Sequence, residues 1–220
     1  MQVIITEDSS HTILNTELNE TYHSSHGAVQ ESRHVFIDAG FRQIVKGKDP
    51  FNVLEIGFGT GLNALLTLIE AEAVKKSVVY SAIEAYPLDQ GTWTKLNYPG
   101  MLCPGEQTVF FEKIHLAGWG KEEKISSFFS LHKILMKLQD YSPFENHLDL
   151  IYFDAFSPAV QPELWTNEIF RKLFIAMKRG GVLTTYSVKG DVIRSMKAAG
   201  FIVEKIPGPP GKRQISRATK

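Results

Sequence analysis

LEIGFGTGLN, residues 54–63, places an apolar run against three glycines, Gly57, Gly59 and Gly61, and then runs on into leucines. Apolar residues that stop at closely spaced glycines and resume at helical spacing read as strand, turn and helix. The glycines let the backbone pass close to a ligand where a Cβ would collide with it. Working outward, a strand is expected over residues 52–56, a helix over 62–73 and a strand over 78–83. Further strands are expected over 150–153, 182–186 and 201–206, with helices near 167–178 and 191–199 between them. Gly180-Gly181 and Gly200 stand where helices end. This alternation predicts an α/β fold with a doubly wound, Rossmann-like parallel sheet. Residues 3–5 and 12–14 flank a polar turn at 7–10 and predict a small N-terminal β-hairpin. The expected organisation is a hairpin and lead-in over residues 1–45, packed on a main domain over 46–220. Residues 96–141 mix short apolar runs with Gly and Pro and are read as an insertion or a strand-plus-helix unit.

Composition narrows the function classes. The 220 residues are 43% hydrophobic and 22% charged, enough for one well-buried domain. The chain has no run approaching eighteen apolar residues and a polar first twenty, so neither a membrane span nor an export signal is expected, and the cytoplasm is the expected location. Cys103 is the sole cysteine, which excludes an intrachain disulfide and a Cys-cluster zinc site and leaves an idle or buried thiol. His23, His26 and His34 are the one conceivable metal set, but without acids of fitting spacing no metal is expected. Lys plus Arg and Asp plus Glu are 24 each, so a bulk polycation is excluded but a local basic surface is not. Lys212, Arg213, Arg217 and Lys220 crowd the C-terminus, either as a solvated tail or as a phosphate-binding patch.

The glycine loop also constrains its ligand. A dinucleotide fingerprint reads G-x-G-x-x-G and a phosphate loop needs Gly-Lys-Ser/Thr; residues 57–61 read G-x-G-x-G with no lysine following. Glu55 repels phosphates but suits an ammonium. Glu84 ends the next expected strand, where nucleotide folds place an acid for the ribose hydroxyls. A ligand with an adenosine, no phosphates and a cationic amino acid end is S-adenosylmethionine. The structural alternatives are a tight turn for the glycines and a solvated strand end for Glu84.

These features resemble the class I methyltransferases, and further motifs narrow the resemblance. YHSSHGAVQESRHVFI (22–37), EIGFGTGLN (55–63), DAFSPAVQPELW (154–165), TYSVKGDVIRSMKAAGF (185–201) and IPGPPGKRQISRATK (206–220) together look like the MnmD family, the stand-alone relative of the methyltransferase half of bifunctional MnmC. The resemblance implies methyl transfer from S-adenosylmethionine to the amine of 5-aminomethyl-(2-thio)uridine at the tRNA wobble position, giving 5-methylaminomethyl-(2-thio)uridine. In 220 residues no counterpart of the flavin-dependent oxidase half of MnmC is expected. The implied partner is a tRNA anticodon stem-loop. The chain departs from the family at Ser130-Leu131-His132, where a Gly-Asp turn beside the adenine is expected.

On this resemblance Tyr22, Glu55, Gly57, Gly59, Gly61, Asn63 and Glu84 are expected to bind the methyl donor, with His26 a further candidate to close over its methionine end. Asp154 is expected to be catalytic: a carboxylate at the rim of a buried strand can orient an acceptor amine and help its proton leave. Its alternative is a turn acid before Ser157-Pro158. Phe156 and Trp165 are expected to stack on or wall in the flipped base, with core packing the equal alternative for Trp165, and Lys189, Lys212 and Arg213 to meet tRNA phosphates. Rival readings are a methyltransferase acting on another amine or RNA, an NAD-dependent oxidoreductase, and a non-catalytic nucleotide- or RNA-binding module. Titration with S-adenosylmethionine, S-adenosylhomocysteine and NAD separates the oxidoreductase from the rest, and turnover on tRNA separates the binding module.

Overall fold

In the computed structural model, which describes residues 1–46, 49–102 and 108–220, the chain opens with β1 (Gln2–Ile5) and β2 (His11–Asn15) paired antiparallel with Val3 opposite Ile13. A two-residue strand, β3 (Glu20–Thr21), extends this hairpin to three strands. The lead-in that follows is helical, which its polar sequence did not announce: α1 (Ala28–Ser32) continues as a π-helical stretch (Arg33–Phe41) and closes in α2 (Arg42–Ile44). Gly40 lets this helix lie close on the sheet, since a Cβ there would stand 3.3 Å from both Leu150 and Thr184.

The main sheet begins with β4 (Phe51–Ile56), followed by α3 (Leu62–Val74) and β5 (Val78–Glu84). Then come short helices α4 (Gln90–Trp93), α5 (Tyr98–Leu102) and α6 (Val109–Leu116), and strands β6 (Glu122–Lys124) and β7 (Phe129–Leu135). The described residues of 96–141 thus form helices and strands, as a strand-plus-helix unit would. The chain continues through β8 (Leu148–Phe153), α7 (Asn167–Ala176), β9 (Met177–Thr185), α8 (Gly190–Ala199), β10 (Ile202–Pro207) and β11 (Gln214–Thr219).

The eight strands lie in the order β10-β11-β9-β8-β4-β5-β7-β6. The central five are parallel, and β6, β10 and β11 add antiparallel edges to the expected parallel sheet. The order reverses at β4: the chain builds outward through β5 and β7, then returns to β8 on the other side. Ligand crevices in such sheets lie at that reversal, outside the carboxyl ends of the strands.

Alternation along the buried strands divides the core in two. Val53, Leu150 and Tyr152 join α3 and the π-helical stretch on one face. Leu54, Ile56, Ile151 and Phe153 join α7 and α8 on the other. Helix α7 shows why it settles there: Ile169, Phe170, Leu173 and Ala176 form one apolar stripe, and Thr166 caps its start by accepting from the Ile169 N–H at 3.3 Å.

Two sequence expectations change. Gly180-Gly181 does not terminate a helix. Helix α7 ends at Ala176, and the glycines lie within β9, where the strand bulges between the Leu148 and Leu150 pairings. A Cβ on Gly181 would approach the Lys178 carbonyl oxygen at 2.9 Å and that of Asp149 at 3.1 Å. The basic C-terminus is not a solvated tail either, because β11 runs between β10 and β9. Arg217 bonds Glu204 at 3.0 Å, and the Lys220 ammonium donates to the Met177 carbonyl at 2.7 Å. Gly200 does cap α8, with φ +113° and its N–H on the Lys197 carbonyl. Cys103 lies outside the described residues. Among the described residues no helix is long and apolar enough to cross a membrane.

Candidate active site

Three parallel strands finish level. Ile56 of β4 pairs with Ile83 of β5 on one side and Phe153 of β8 on the other. The residues at the next level are therefore Gly57, Glu84 and Asp154. Hydrogen bonds extend the register past the strand ends: the Gly57 N–H donates to the Ile83 carbonyl and the Asp154 N–H to the Ile56 carbonyl, each at 3.0 Å. A Cβ on Gly57, whose φ is +87°, would stand 2.7 Å from the Asp154 carbonyl oxygen, so only glycine fits.

The glycine loop is pinned from several sides. Glu84 accepts the Gly59 N–H at 3.0 Å and the Tyr86 N–H at 2.9 Å, one on each carboxylate oxygen. The buried His23 ring pairs through Nε2 with the Thr60 hydroxyl at 2.7 Å, and His115 Nε2 lies 3.1 Å from the Thr60 carbonyl. Burial holds both imidazoles neutral, lowering His23 to about 4 and His115 to about 3. Gly61 precedes α3 in the left-handed region, against His115 and Phe58.

From the first turn of α3, Asn63 divides its amide between two acids, donating to Glu55 Oε1 at 2.9 Å and to Asp154 Oδ2 at 2.8 Å. Among the described residues its own Oδ1 is buried without a partner. Glu55 is fully buried beneath this amide, not at the cavity wall, and burial pushes its carboxyl well above the ordinary range. Burial also raises Asp154 to about 7; the nearby Glu31 carboxylate adds to the rise, and the Asn63 amide and Lys212 oppose it.

These groups enclose a cavity of about 790 Å³. Of the expected residues, Tyr22, Gly57, Gly59, Asn63, Glu84, Asp154, Phe156 and Lys212 line it. The Tyr22 ring meets Phe156 edge-on at 5.0 Å, and burial with the Glu84 charge pushes its hydroxyl up to about 12.

Other expected residues lie elsewhere. Trp165 is 4% exposed, packed on Phe153 and Phe170, and its indole N–H donates to the Phe156 carbonyl at 3.0 Å. It therefore braces Phe156 from the core and does not wall the cavity. Lys189 and Arg213 are exposed outside it. Lys212, expected at tRNA phosphates, instead turns inward to Glu31 and lies 4.2 Å from the Tyr186 ring centroid. His26 bonds Glu7, and His34 reaches the Pro207 carbonyl, so the three histidines go to three separate places. Among the described residues no His, Cys, Asp or Glu cluster fits a metal.

Sequence reasoning missed Glu31, Tyr86, Met136, Lys137, Leu138 and Tyr186, all of which line the cavity. Ser130-Leu131-His132 lies within β7, so the loop beyond that strand begins later, at Met136, whose N–H donates to the Glu84 carbonyl at 3.0 Å.

Comparison with known proteins agrees with this architecture. A family model described as S-adenosyl-L-methionine-dependent methyltransferase matches residues 122–220. The tRNA 5-methylaminomethyl-2-thiouridine biosynthesis bifunctional protein MnmC of Aromatoleum aromaticum is 32% identical over 218 residues, covering 90% of this chain and 32% of its own length. The protein of the same name from Magnetococcus marinus is 31% identical, covering 89% of this chain and 30% of its own. This chain thus spans about a third of the length of the curated relatives it matches. Among solved structures, MnmC2 from Aquifex aeolicus superposes with a TM-score of 0.80 at 24% identity, over 99% of this chain and 70% of that one. Spermidine synthase from Thermotoga maritima shares the fold at a TM-score of 0.54 and 16% identity, over 99% and 71% of the two chains.

Proposed function

We propose that the chain is an S-adenosyl-L-methionine-dependent methyltransferase, a reading supported by its likeness to that family model and to the MnmC relatives, and that it methylates the amine of 5-aminomethyl-(2-thio)uridine at the wobble position of tRNA, giving 5-methylaminomethyl-(2-thio)uridine. In this reading residues 1–45 are a lead-in that closes one side of the cavity of a methyltransferase domain spanning 46–220.

The residues present suit the donor. Gly57 and Gly59 keep the loop free of side chains, Glu84 retains a lone pair on each oxygen for a ribose diol, and the unpartnered Asn63 Oδ1 offers an acceptor for an ammonium. Tyr86, Met136 and Leu138 provide an apolar border for an adenine, a role expected in sequence at residues 130–132. Tyr22 covers the loop beside Gly59. Bound there, S-adenosylmethionine supplies a methyl group already activated by its sulfonium.

The remaining task falls to the acceptor side. An alkylammonium keeps its proton to about pH 10, and its nitrogen has no free lone pair until that proton leaves. Asp154, ionised above about pH 7, accepts a hydrogen bond from the ammonium and receives its proton as the lone pair turns to the methyl carbon. Asn63 fixes the carboxylate from one side while Phe156, braced by Trp165, walls the acceptor. The observation that carries this reading is that Asp154 shares one cavity with the glycine loop and Glu84, at the point where the strand order reverses. Nucleoside mass analysis of tRNA from cells lacking the protein tests it. Accumulated 5-aminomethyl-(2-thio)uridine is the expected result, and an unchanged nucleoside profile would overturn it.

A further inference from the structure

Glu31 and Lys212 stand 181 residues apart in sequence, yet they meet inside the cavity. The Glu31 carboxylate is held at both oxygens: Oε2 accepts the Ser24 N–H at 2.7 Å and Oε1 accepts the Lys212 ammonium. Its side chain is 9% exposed and that of Lys212 is 30% exposed, so the pair is drawn well out of solvent. An ion pair so placed contributes little net stability, because desolvation offsets the attraction. Its position is more informative. Lys212 lies against the ring of Tyr186, whose hydroxyl donates to the Ala155 carbonyl at 2.9 Å, one residue from the catalytic carboxylate. Glu31 is thus a second acid on the acceptor side of the cavity, and its partner is a primary ammonium on a flexible stem. The proposed acceptor is also a primary ammonium on a short stem.

We propose that Glu31 and Asp154 together form a two-carboxylate receptor for the acceptor ammonium, and that Lys212 occupies Glu31 as a placeholder cation until the acceptor displaces it. With Lys212 on Glu31, Asp154 is the member of the carboxylate pair left open to one incoming ammonium. The cavity then discriminates an aminomethyl uridine from an unmodified one by charge as well as by shape, since an acid left facing a neutral base is an unpaired charge. Displaced from Glu31, Lys212 is released toward the cavity mouth.

This inference rests on the proposed aminomethyl acceptor and gives a signature of its own. The readout is the ratio of affinities for anticodon stem-loops with and without the 5-aminomethyl group, measured at pH 8 with S-adenosylhomocysteine bound. Phosphate contacts are the same in both ligands and cancel in the ratio. In Glu31→Gln the ratio falls about 10- to 100-fold, as expected for losing one charge-assisted hydrogen bond. In Lys212→Gln the ratio rises, because Glu31 is vacant for the ammonium.

Rate profiles give a second readout. Asp154 is surrounded by Glu31, Lys212, Glu55, Tyr80 and Tyr186, so deleting one neighbouring charge moves its titration predictably. The acid limb of the methylation rate shifts to lower pH in Glu31→Gln and to higher pH in Lys212→Gln. A pair that only ties the chain ends together would move the ratio in the same direction in both variants or in neither, and either result overturns the inference. If Glu31→Gln does not fold, Lys212→Gln decides the matter, since an unchanged or lower ratio there contradicts a placeholder. Wild-type turnover on the aminomethyl stem-loop is the control: its absence would sink the acceptor assignment, whereas its presence with unmoved ratios sinks the Glu31 inference alone.

Discussion

Asn63 donates to Asp154 Oδ2 at 2.8 Å while giving its other amide hydrogen to the buried Glu55. One side chain therefore fixes the orientation of the Asp154 carboxylate and opposes its rise in pKa. Asn63→Leu keeps the bulk at the start of α3 but removes both donors. The acid limb of the single-turnover methylation rate should then move above the wild-type value of about 7, since a lost hydrogen bond to the ionised form disfavours ionisation. A profile that stays in place would mean that Asn63 does not control Asp154.

Stability should respond to Asp154 in the direction opposite to that of a capping residue. Its folded-state pKa is raised from 3.8 to about 7, so the stability associated with its neutral form is present below the unfolded value and lost as pH rises through the folded one. Asp154→Asn removes that loss. Thermal melts without ligand should show the variant above wild type at pH 8, with the gap closing as pH falls from about 7 toward 4. A melting temperature below wild type across this range would indicate a structural cap.

Glu84 binds two loop N–H groups on its own and, in the proposed site, the donor ribose as well. Replacing it by Gln preserves size but loses the charge on every one of these bonds. Calorimetric titration with S-adenosylhomocysteine should show affinity weakened by about 1.5–3 kcal/mol, roughly 10- to 100-fold. Unchanged affinity would remove Glu84 from the donor site.

With Lys212 turned inward, Lys189 and Arg213 are the expected basic residues left at the surface. The double change Lys189→Ala with Arg213→Ala should raise the Michaelis constant for tRNA and flatten its dependence on salt by close to one counterion for each phosphate contact removed. Donor affinity should not change. An unaltered salt slope would place the RNA backbone elsewhere.

Much of this was legible in sequence because it depends on local pattern. The glycine loop, the acid at the end of β5 and the carboxylate after β8 follow from strand ends at the reversal of sheet order, and Gly57, Glu84 and Asp154 fall where that rule puts them. What sequence hid is non-local or breaks the pattern. β7 was obscured by Lys133, a lysine at a buried strand position whose ammonium donates to the His115 carbonyl at 2.6 Å. Without that strand the cavity wall at 136–138 could not be placed. β11 is hidden in sequence because its charges suggest a tail or a phosphate-binding patch, whereas Ile215 and Ala218 bury it as a strand. For Trp165 the sequence leaves a ligand wall and core packing open alike, and only the packing against Phe153 and Phe170 decides between them. The Glu31–Lys212 pair joins the two ends of the chain, a contact that no spacing rule encodes.

Whether Asp154 frees the acceptor amine is tested most directly by single-turnover methylation of tRNA bearing 5-aminomethyl-(2-thio)uridine, with wild type and Asp154→Asn compared from about pH 6.5 to 9.5. The wild-type rate should rise through about pH 7 as Asp154 ionises. The variant should bind donor normally yet react about 10²- to 10⁴-fold more slowly, recovering part of the difference as pH approaches the amine's own pKa near 10. An Asp154→Asn enzyme that methylates at the wild-type rate across this range would contradict the account.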